Sequence, residues 1–275
     1  RGSSPRHGLQ MTRHLAAVGP LLGLGLLAGC ACGDDEICRV AGGRYHAMVP
    51  AGWDGQERLP VILSVHGYGG SPDSLLSKPH LGSAYDRAGV LWVVPEGQDR
   101  SWKTRNSPET GDVGRRNDVE FLGAVLDDVA ERWPIDQRRV AASGFSQGGS
   151  MASELACLDP DRWPVSMPIS GTFWTNVPAR CRAPVSVRHT HGTAGPIWPL
   201  EGRAIGAYDQ GGVDEAMEVW GTTAGCDPTP TREQLGELVC AVYTGCGASD
   251  VRLCLHDGGH TVMQAEADQQ LRWLG

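Results

Sequence analysis

Three short stretches of the chain hold residue types at spacings suited to acyl transfer. The first is Gly144-Phe145-Ser146-Gln147-Gly148-Gly149, a G-x-S-x-G pattern between an apolar run and a helix-like segment. In that setting a serine stands on a tight strand-to-helix turn with its hydroxyl free to attack a carbonyl. The flanking glycines are required because a side chain there would strike the adjoining strand or helix. The helix start behind Ser146 offers backbone N–H groups and a positive dipole end to a developing oxyanion. A serine in a plain glycine-rich turn would look the same in isolation, so the surrounding elements decide.

The second stretch is His66-Gly67-Tyr68-Gly69-Gly70, directly after an apolar run. Its glycines permit close backbone approach, and the Tyr68 N–H pairs with the Gln147 N–H as the expected oxyanion donors. The third is Gly258-Gly259-His260, after the last apolar run and 15 residues from the end of the sequence. On a fold whose chain order is Ser, then Asp or Glu, then His, His260 is the expected general base. His66, His189 and His191 flank apolar runs and read as structural.

These stretches need a scaffold, and the hydropathy pattern supplies one. Near-continuous apolar runs at 60–66, 90–94, 139–145, 165–170, 185–190 and 251–255 read as strands buried on both faces of a parallel sheet. Residues 118–133 carry apolar side chains at Val119, Leu122, Val125, Leu126, Val129 and Trp133, a helical stripe that Asn117 or Asp118 can cap. Segments 147–158 and 261–274 read as further helices. Strands alternating with helices predict an α/β fold, with a mostly parallel sheet and helices on both faces.

With those elements in place, the chain from about residue 44 onward resembles polyhydroxybutyrate depolymerases and the related feruloyl and acetylxylan esterases of the α/β-hydrolase superfamily. The resemblance rests on Val65-His66-Gly67-Tyr68-Gly69, Val94-Pro95-Glu96-Gly97, Asn117-Asp118-Val119-Glu120-Phe121-Leu122, the Ser146 stretch, Pro168-Ile169-Ser170-Gly171, His191-Gly192-Thr193-Ala194 and Gly258-Gly259-His260-Thr261. It implies an α/β-hydrolase fold and serine esterase chemistry without a cofactor. It also implies a disulfide between Cys157 and Cys181. In the family the triad's acid follows the His-Gly-Thr-Ala stretch, where this chain has Gly195. A glycine can neither fix the tautomer of the histidine nor stabilise its imidazolium. In serine proteases, loss of that charge costs roughly 10⁴-fold in kcat. Three readings stay open: a substitute carboxylate such as Glu201, with Asp209, Asp214 and Asp257 further off; a slow Ser146–His260 dyad; or a catalytically impaired binding protein.

Composition narrows the remaining classes. Hydrophobic residues make up 40% of the 275 and charged residues 20%, which argues against disorder. A formal net charge of −8 speaks against a general nucleic-acid binder. Met11 opens a segment with Arg13 and His14 followed by about 15 apolar or small residues, too short for a bilayer span. The pattern is that of a secretory signal. Leu27-Ala28-Gly29-Cys30 also fits a bacterial lipobox, with cleavage before Cys30 and lipid attached to it. Residues 1–10 therefore read as a leader or tag remnant, 11–29 as a lipoprotein-type signal, and 30–275 as one catalytic domain.

Nine cysteines suit an oxidising compartment, and lipidation of Cys30 leaves eight to pair. Cys32 and Cys38 would close a small loop. Cys226, Cys240, Cys246 and Cys254 would form two bridges of undecided connectivity. No cysteine pair has zinc-site spacing, so no metal is implied. The expected protein is a monomeric, exported or membrane-tethered esterase for a small ester, a polyester or an acylated polysaccharide, with no nucleic-acid partner. A serine peptidase on the same fold is the rival enzyme. Trp174 and Trp198 are expected near the cleft, lining an acyl or aryl pocket.

Overall fold

The computed structural model describes residues 1–2, 32, 37–112 and 114–274. The expected signal segment and Cys30 lie outside the described residues. Twelve strands follow one another along the chain: β1 Ile37–Val40, β2 Gly43–Met48, β3 Leu59–Val65, β4 Leu91–Pro95, β5 Ile135–Phe145, β6 Val165–Ile169, β7 Ser186–Gly192, β8 Arg203–Ile205, β9 Tyr208–Gln210, β10 Thr231–Leu235, β11 Leu238–Tyr243 and β12 Val251–His256. The α-helices are α1 Asp73–Leu76, α2 Pro79–Arg87, α3 Asp118–Arg132, α4 Gln147–Leu158, α5 Val213–Ala224 and α6 Gln264–Leu271.

Ten strands form one sheet in the order β1-β2-β4-β3-β5-β6-β7-β12-β11-β10, and β8 pairs only with β9. The central run from β4 to β12 is parallel, while the pairs β1–β2, β2–β4, β12–β11 and β11–β10 are antiparallel. All six apolar runs expected as strands are strands, and β3, β4 and β6 are buried along their whole length. That is what a sheet covered on both faces requires.

Alternate residues of β3 divide between two cores. Val61, Leu63 and Val65 pack with α3, α4 and α5 residues such as Leu122, Leu155 and Trp220. Ile62 packs with Leu81 and Tyr85 of α2 and with Ala267 of α6 on the opposite face. The period-2 alternation of a strand thus sets helices on both sides of the sheet.

Helix α3 begins where expected. The Asn117 side chain accepts hydrogen bonds from the N–H groups of Val119 and Glu120, at 3.1 and 3.4 Å. Such a cap contributes about 1 kcal/mol. The predicted C-terminal helix at 261–274 begins later, at Gln264, because the Glu266 carboxylate accepts the Met263 N–H at 2.6 Å and starts the helix there. It ends in a 3₁₀ turn, Arg272–Leu274.

Helix α5 is not among the sequence expectations, although Val213, Ala216, Met217 and Trp220 lie on one face and are all buried. Glu215 accepts the Gly212 N–H at 3.1 Å at its start, and Gly225 ends it in the left-handed region at φ 71°. The strands outside the parallel core are likewise unanticipated, because their short half-buried stretches carry little hydropathy signal.

Four disulfides pin the periphery: Cys32–Cys38, Cys157–Cys181, Cys226–Cys246 and Cys240–Cys254. The last joins directly opposed residues of β11 and β12. Register therefore settles the pairing that spacing left open.

Candidate active site

The candidate residues converge because β3, β5, β7 and β12 run parallel, so their C-terminal ends emerge at one edge of the sheet. Crevices outside those ends are the usual ligand sites of open α/β sheets. Ser146 occupies the turn between β5 and α4 at φ 57°, ψ −119°. A non-glycine residue held there costs on the order of 1–3 kcal/mol. The surrounding contacts hold it in place. The Ser146 N–H donates to Ile169 O at 2.8 Å, and Ser146 O accepts from Gly149 and Ser150.

The adjoining glycines are sterically obligatory. A Cβ on Gly144 would overlap Gly148 O, one on Gly148 would overlap Val65 O, and one on Gly171 would overlap Ser146 O. The elbow is thus pressed between β3 and the turn after β6.

The expected oxyanion donors lie on two sides of that elbow. Gln147 is the first residue of α4, so its N–H has no helical acceptor. Its side chain is occupied elsewhere. Gln147 Oε1 accepts the Trp102 N–H at 3.1 Å, and Nε2 donates to Ser101 Oγ at 3.3 Å. Gly67 packs so closely that a Cβ there would stand 3.3 Å from Ser146 Cβ.

Among the described residues, the N–H of Tyr68, the next residue, donates to no protein acceptor. The turn is fixed around it: Gly69 N–H donates to Arg100 O at 2.7 Å, and Gly70 N–H to Gly67 O at 3.0 Å. The Tyr68 side chain is 75% exposed.

His66 holds this loop and is structural. Its Nδ1–H donates to Gly67 O at 2.9 Å, and Nε2 accepts the Gly97 N–H at 3.0 Å. Trp102, whose Nε1–H donates to His66 O at 2.8 Å, links the loop to α4. Beneath it, the fully buried Asp118 accepts from the Lys103 N–H and from Arg116 Nε, both at 2.6 Å. The Asn117-Asp118 motif therefore caps a helix and anchors the segment behind the elbow.

His260 follows β12, and its ring lies 4.6 Å from the ring of Phe145, the residue immediately before Ser146. Partial burial, with lesser contributions from His191 and the Arg203 guanidinium, pushes the imidazole down to about 4. Its Nδ1 is out of solvent and has no hydrogen-bond partner among the described residues. Gly195 lies where the resemblance places the acid, and a Cβ there would stand 2.9 Å from the His260 backbone nitrogen and 3.4 Å from His260 Cβ.

The loop carrying Gly195 is stitched to the His260 loop. Thr193 N–H donates to His256 O at 2.9 Å, Ala194 N–H to Gly258 O at 3.1 Å, and Gly258 N–H to His256 Nδ1 at 3.1 Å. Glu201, the substitute acid considered above, stands exposed just before a turn at Gly202 (φ 76°) and has no bond to His260. Asp209, Asp214 and Asp257 have none either. Geometry places Gly195 against the histidine, and among the described residues no carboxylate bonds to the His260 ring.

His189 and His191 are buried beside this loop. His191 Nε2–H donates to Trp198 O at 2.8 Å, which leaves Nδ1 to accept from His189 Nε2 at 3.1 Å. Burial lowers both imidazoles, most strongly His189, so they stay neutral. Their role is to hold the 195–198 turn.

Trp174 and Trp198 meet edge to face at 5.6 Å, and both are buried. Trp198 Nε1–H donates to Gly211 O at 3.2 Å. A small cavity of about 30 Å³ beside Trp174 is lined also by Thr104, Glu154, Cys157 and Phe173. The two indoles pack against each other, and Trp174 also lines that cavity. Phe145 and Arg203, which act directly on His260, are absent from the sequence expectations. Phe145 carried a signal as the variable residue before the serine, whereas Arg203 carried none.

Comparison with known proteins identifies the family. Residues 43–220 match the family model described as "Putative esterase". "Putative esterase NocK" of Nocardia uniformis subsp. tsuyamanensis is 29% identical over 230 residues, covering 74% of this chain and 66% of that protein. Feruloyl esterase C of Emericella nidulans is 26% identical over 232 residues, covering 82% of this chain and 78% of that protein. The solved acetyl xylan esterase of Aspergillus awamori superposes with a TM-score of 0.61 over 84% of this chain and 94% of that one, at 11% identity, a likeness of fold. With a nucleophile-elbow turn, a histidine loop and a family match over most of the sheet, the chain belongs to this esterase family of α/β-hydrolase-fold carboxylic ester hydrolases.

Proposed function

We propose that the protein is an exported serine esterase that uses Ser146 and His260 without a triad acid of its own. The observation that supports this reading is the 4.6 Å ring contact between His260 and Phe145, the residue immediately before the serine of the strained turn. In the first step Ser146 Oγ attacks the ester carbonyl while His260 takes its proton. The Tyr68 and Gln147 N–H groups receive the oxyanion, and His260 returns the proton to the leaving alcohol. Water repeats the sequence on the acyl-enzyme.

Four disulfides favour an oxidising compartment and thus export. Residues 11–29 as a signal and Cys30 as a lipid-bearing residue complete that reading, with 30–275 as one catalytic domain. The names of the relatives favour an ester on a polysaccharide, acetyl or feruloyl, over polyhydroxybutyrate.

Purified protein should hydrolyse p-nitrophenyl acetate and release acid from acetylated or feruloylated xylan faster than from polyhydroxybutyrate. Equal activity in wild type and Ser146→Ala would refute the serine mechanism. Faster cleavage of peptide p-nitroanilides than of esters would point to a peptidase.

A further inference from the structure

We propose that a carboxylate from outside the chain binds at the His260 imidazole, on the side of the 195–197 turn to which Arg203 bonds, and that this carboxylate supplies the charge missing at position 195. The proposal rests on the esterase reading and specifies how the histidine of that site is completed.

Three observations converge. His260 Nδ1 is desolvated and unpartnered, and the His260 backbone N–H donates to no acceptor among the described residues. An unmet buried donor costs about 1–3 kcal/mol, so an acceptor at this point is favoured. The groups acting electrostatically on His260 are His191, neutral and committed to Trp198 O, and the cation Arg203. Arg203 Nε donates to Ile197 O at 2.8 Å, two residues from Gly195, which leaves its terminal nitrogens for a ligand. Last, the turn packed against His260 reaches solvent: Gly195 is buried, while Ala194 and Pro196 on either side of it are exposed.

A surrounding that is neutral or positive opposes protonation of His260. When His260 accepts the Ser146 proton, the imidazolium would stand near Arg203 with no counter-ion. A carboxylate there accepts the Nδ1–H bond and offsets both cations. The proton from Ser146 Oγ goes to His260 Nε2 as the Oγ–C bond forms and the carbonyl electron pair moves to oxygen. The Nδ1 proton stays in place and the carboxylate remains ionised. The Nε2 proton then passes to the alcohol oxygen as the C–O bond breaks. The carboxylate can be a small free anion or part of the substrate.

The experiment is a formate titration at constant ionic strength, read by NMR on the His260 imidazole, which is assigned with His260→Gln. Formate should raise the midpoint of the His260 titration by roughly one pH unit or more. It should also raise kcat for p-nitrophenyl butyrate, saturably, by about tenfold or more. Arg203→Gln should weaken the formate response, and Gly195→Asp should abolish it.

Mono-p-nitrophenyl succinate compared with the butyrate, in the absence of formate, separates the sources. A faster succinate ester places the carboxylate on the substrate, and a formate response alone places it in solution. A His260 midpoint and rates unmoved by formate, with the two esters alike, would overturn the proposal. So would an equal formate response in Gly195→Asp. The NMR arm decides the site even if Ser146→Ala shows the esterase mechanism to be wrong.

Discussion

Gly195 lies directly against His260, 2.9 Å from the histidine's backbone nitrogen to where a Cβ would stand, in a turn stitched to the histidine loop by main-chain hydrogen bonds. The residue in the acid's expected place is thus held against the proposed base, yet has no carboxylate to offer it. Gly195→Asp should raise kcat for activated esters about tenfold or more, short of the full 10⁴ of an intact acid. The Cβ would meet the His260 backbone nitrogen closer than Cβ atoms are found, so any side chain there requires the backbone of the two loops to shift. Gly195→Ala, which adds the same contact without a carboxylate, should leave kcat unchanged or lower. Parallel steady-state kinetics on both variants check this; equal gains would assign the effect to packing.

The pH profile follows from the same contact. His260 must be neutral to act as a base, and burial with nearby positive charge pushes it down to about 4. In the wild type, kcat/KM should stay level from neutral pH down to about 5 and fall only as pH approaches 4. A carboxylate beside the imidazole favours its protonated form, so in Gly195→Asp the falling limb should move up toward the ordinary histidine range. A wild-type midpoint near 6.5 would contradict the described environment of His260.

The strain at Ser146 can be separated from its chemistry. Ser146→Gly removes the side chain that makes φ 57° costly, so the folded state should gain about 1 kcal/mol while esterase activity is lost. Denaturant midpoints at constant m-value measure the gain. Gly171→Ala should do the reverse, since its Cβ would overlap Ser146 O, and it should cost about 3 kcal/mol or more.

Two exposed apolar side chains stand out on the loops that carry Gly67 and Gly195. Tyr68 is 75% exposed and Ile197 49%; they lie one residue beyond Gly67, which packs on Ser146, and two beyond Gly195. Solvent exposure of both suits them to the apolar part of an ester. Tyr68→Ala and Ile197→Ser should raise KM for aryl esters several-fold with kcat and Tm nearly unchanged, because the Tyr68 N–H is a backbone group. A kcat loss equal to the KM rise would assign Tyr68 to positioning the oxyanion loop.

The Cys240–Cys254 bridge closes a short loop between opposed residues of neighbouring strands. The double substitution to Ala should lower stability by about 2–4 kcal/mol and leave KM unaltered, since β11 and β12 pair through their backbones. Thermal unfolding with and without reductant tests this.

What was legible in the sequence was what local chemistry dictates. Continuous apolar runs can only be strands covered on both faces, and they reappear as β3 to β7 and β12 within a few residues. Asn117 was readable as a cap and Gly144-Phe145-Ser146-Gln147-Gly148 as an elbow, because each depends on neighbours in the chain. The glycine at 195 was also readable as a missing acid. Tertiary structure alone decided the consequences. Packing between the ends of β7 and β12 set Gly195 against His260 and left Glu201 in solvent. It brought the Phe145 ring to 4.6 Å from the imidazole, and register chose Cys254 for Cys240. It also packed Trp174 edge to face on Trp198. These relationships join residues from 14 to 115 positions apart, and only the ordering of strands in the sheet brings such residues together.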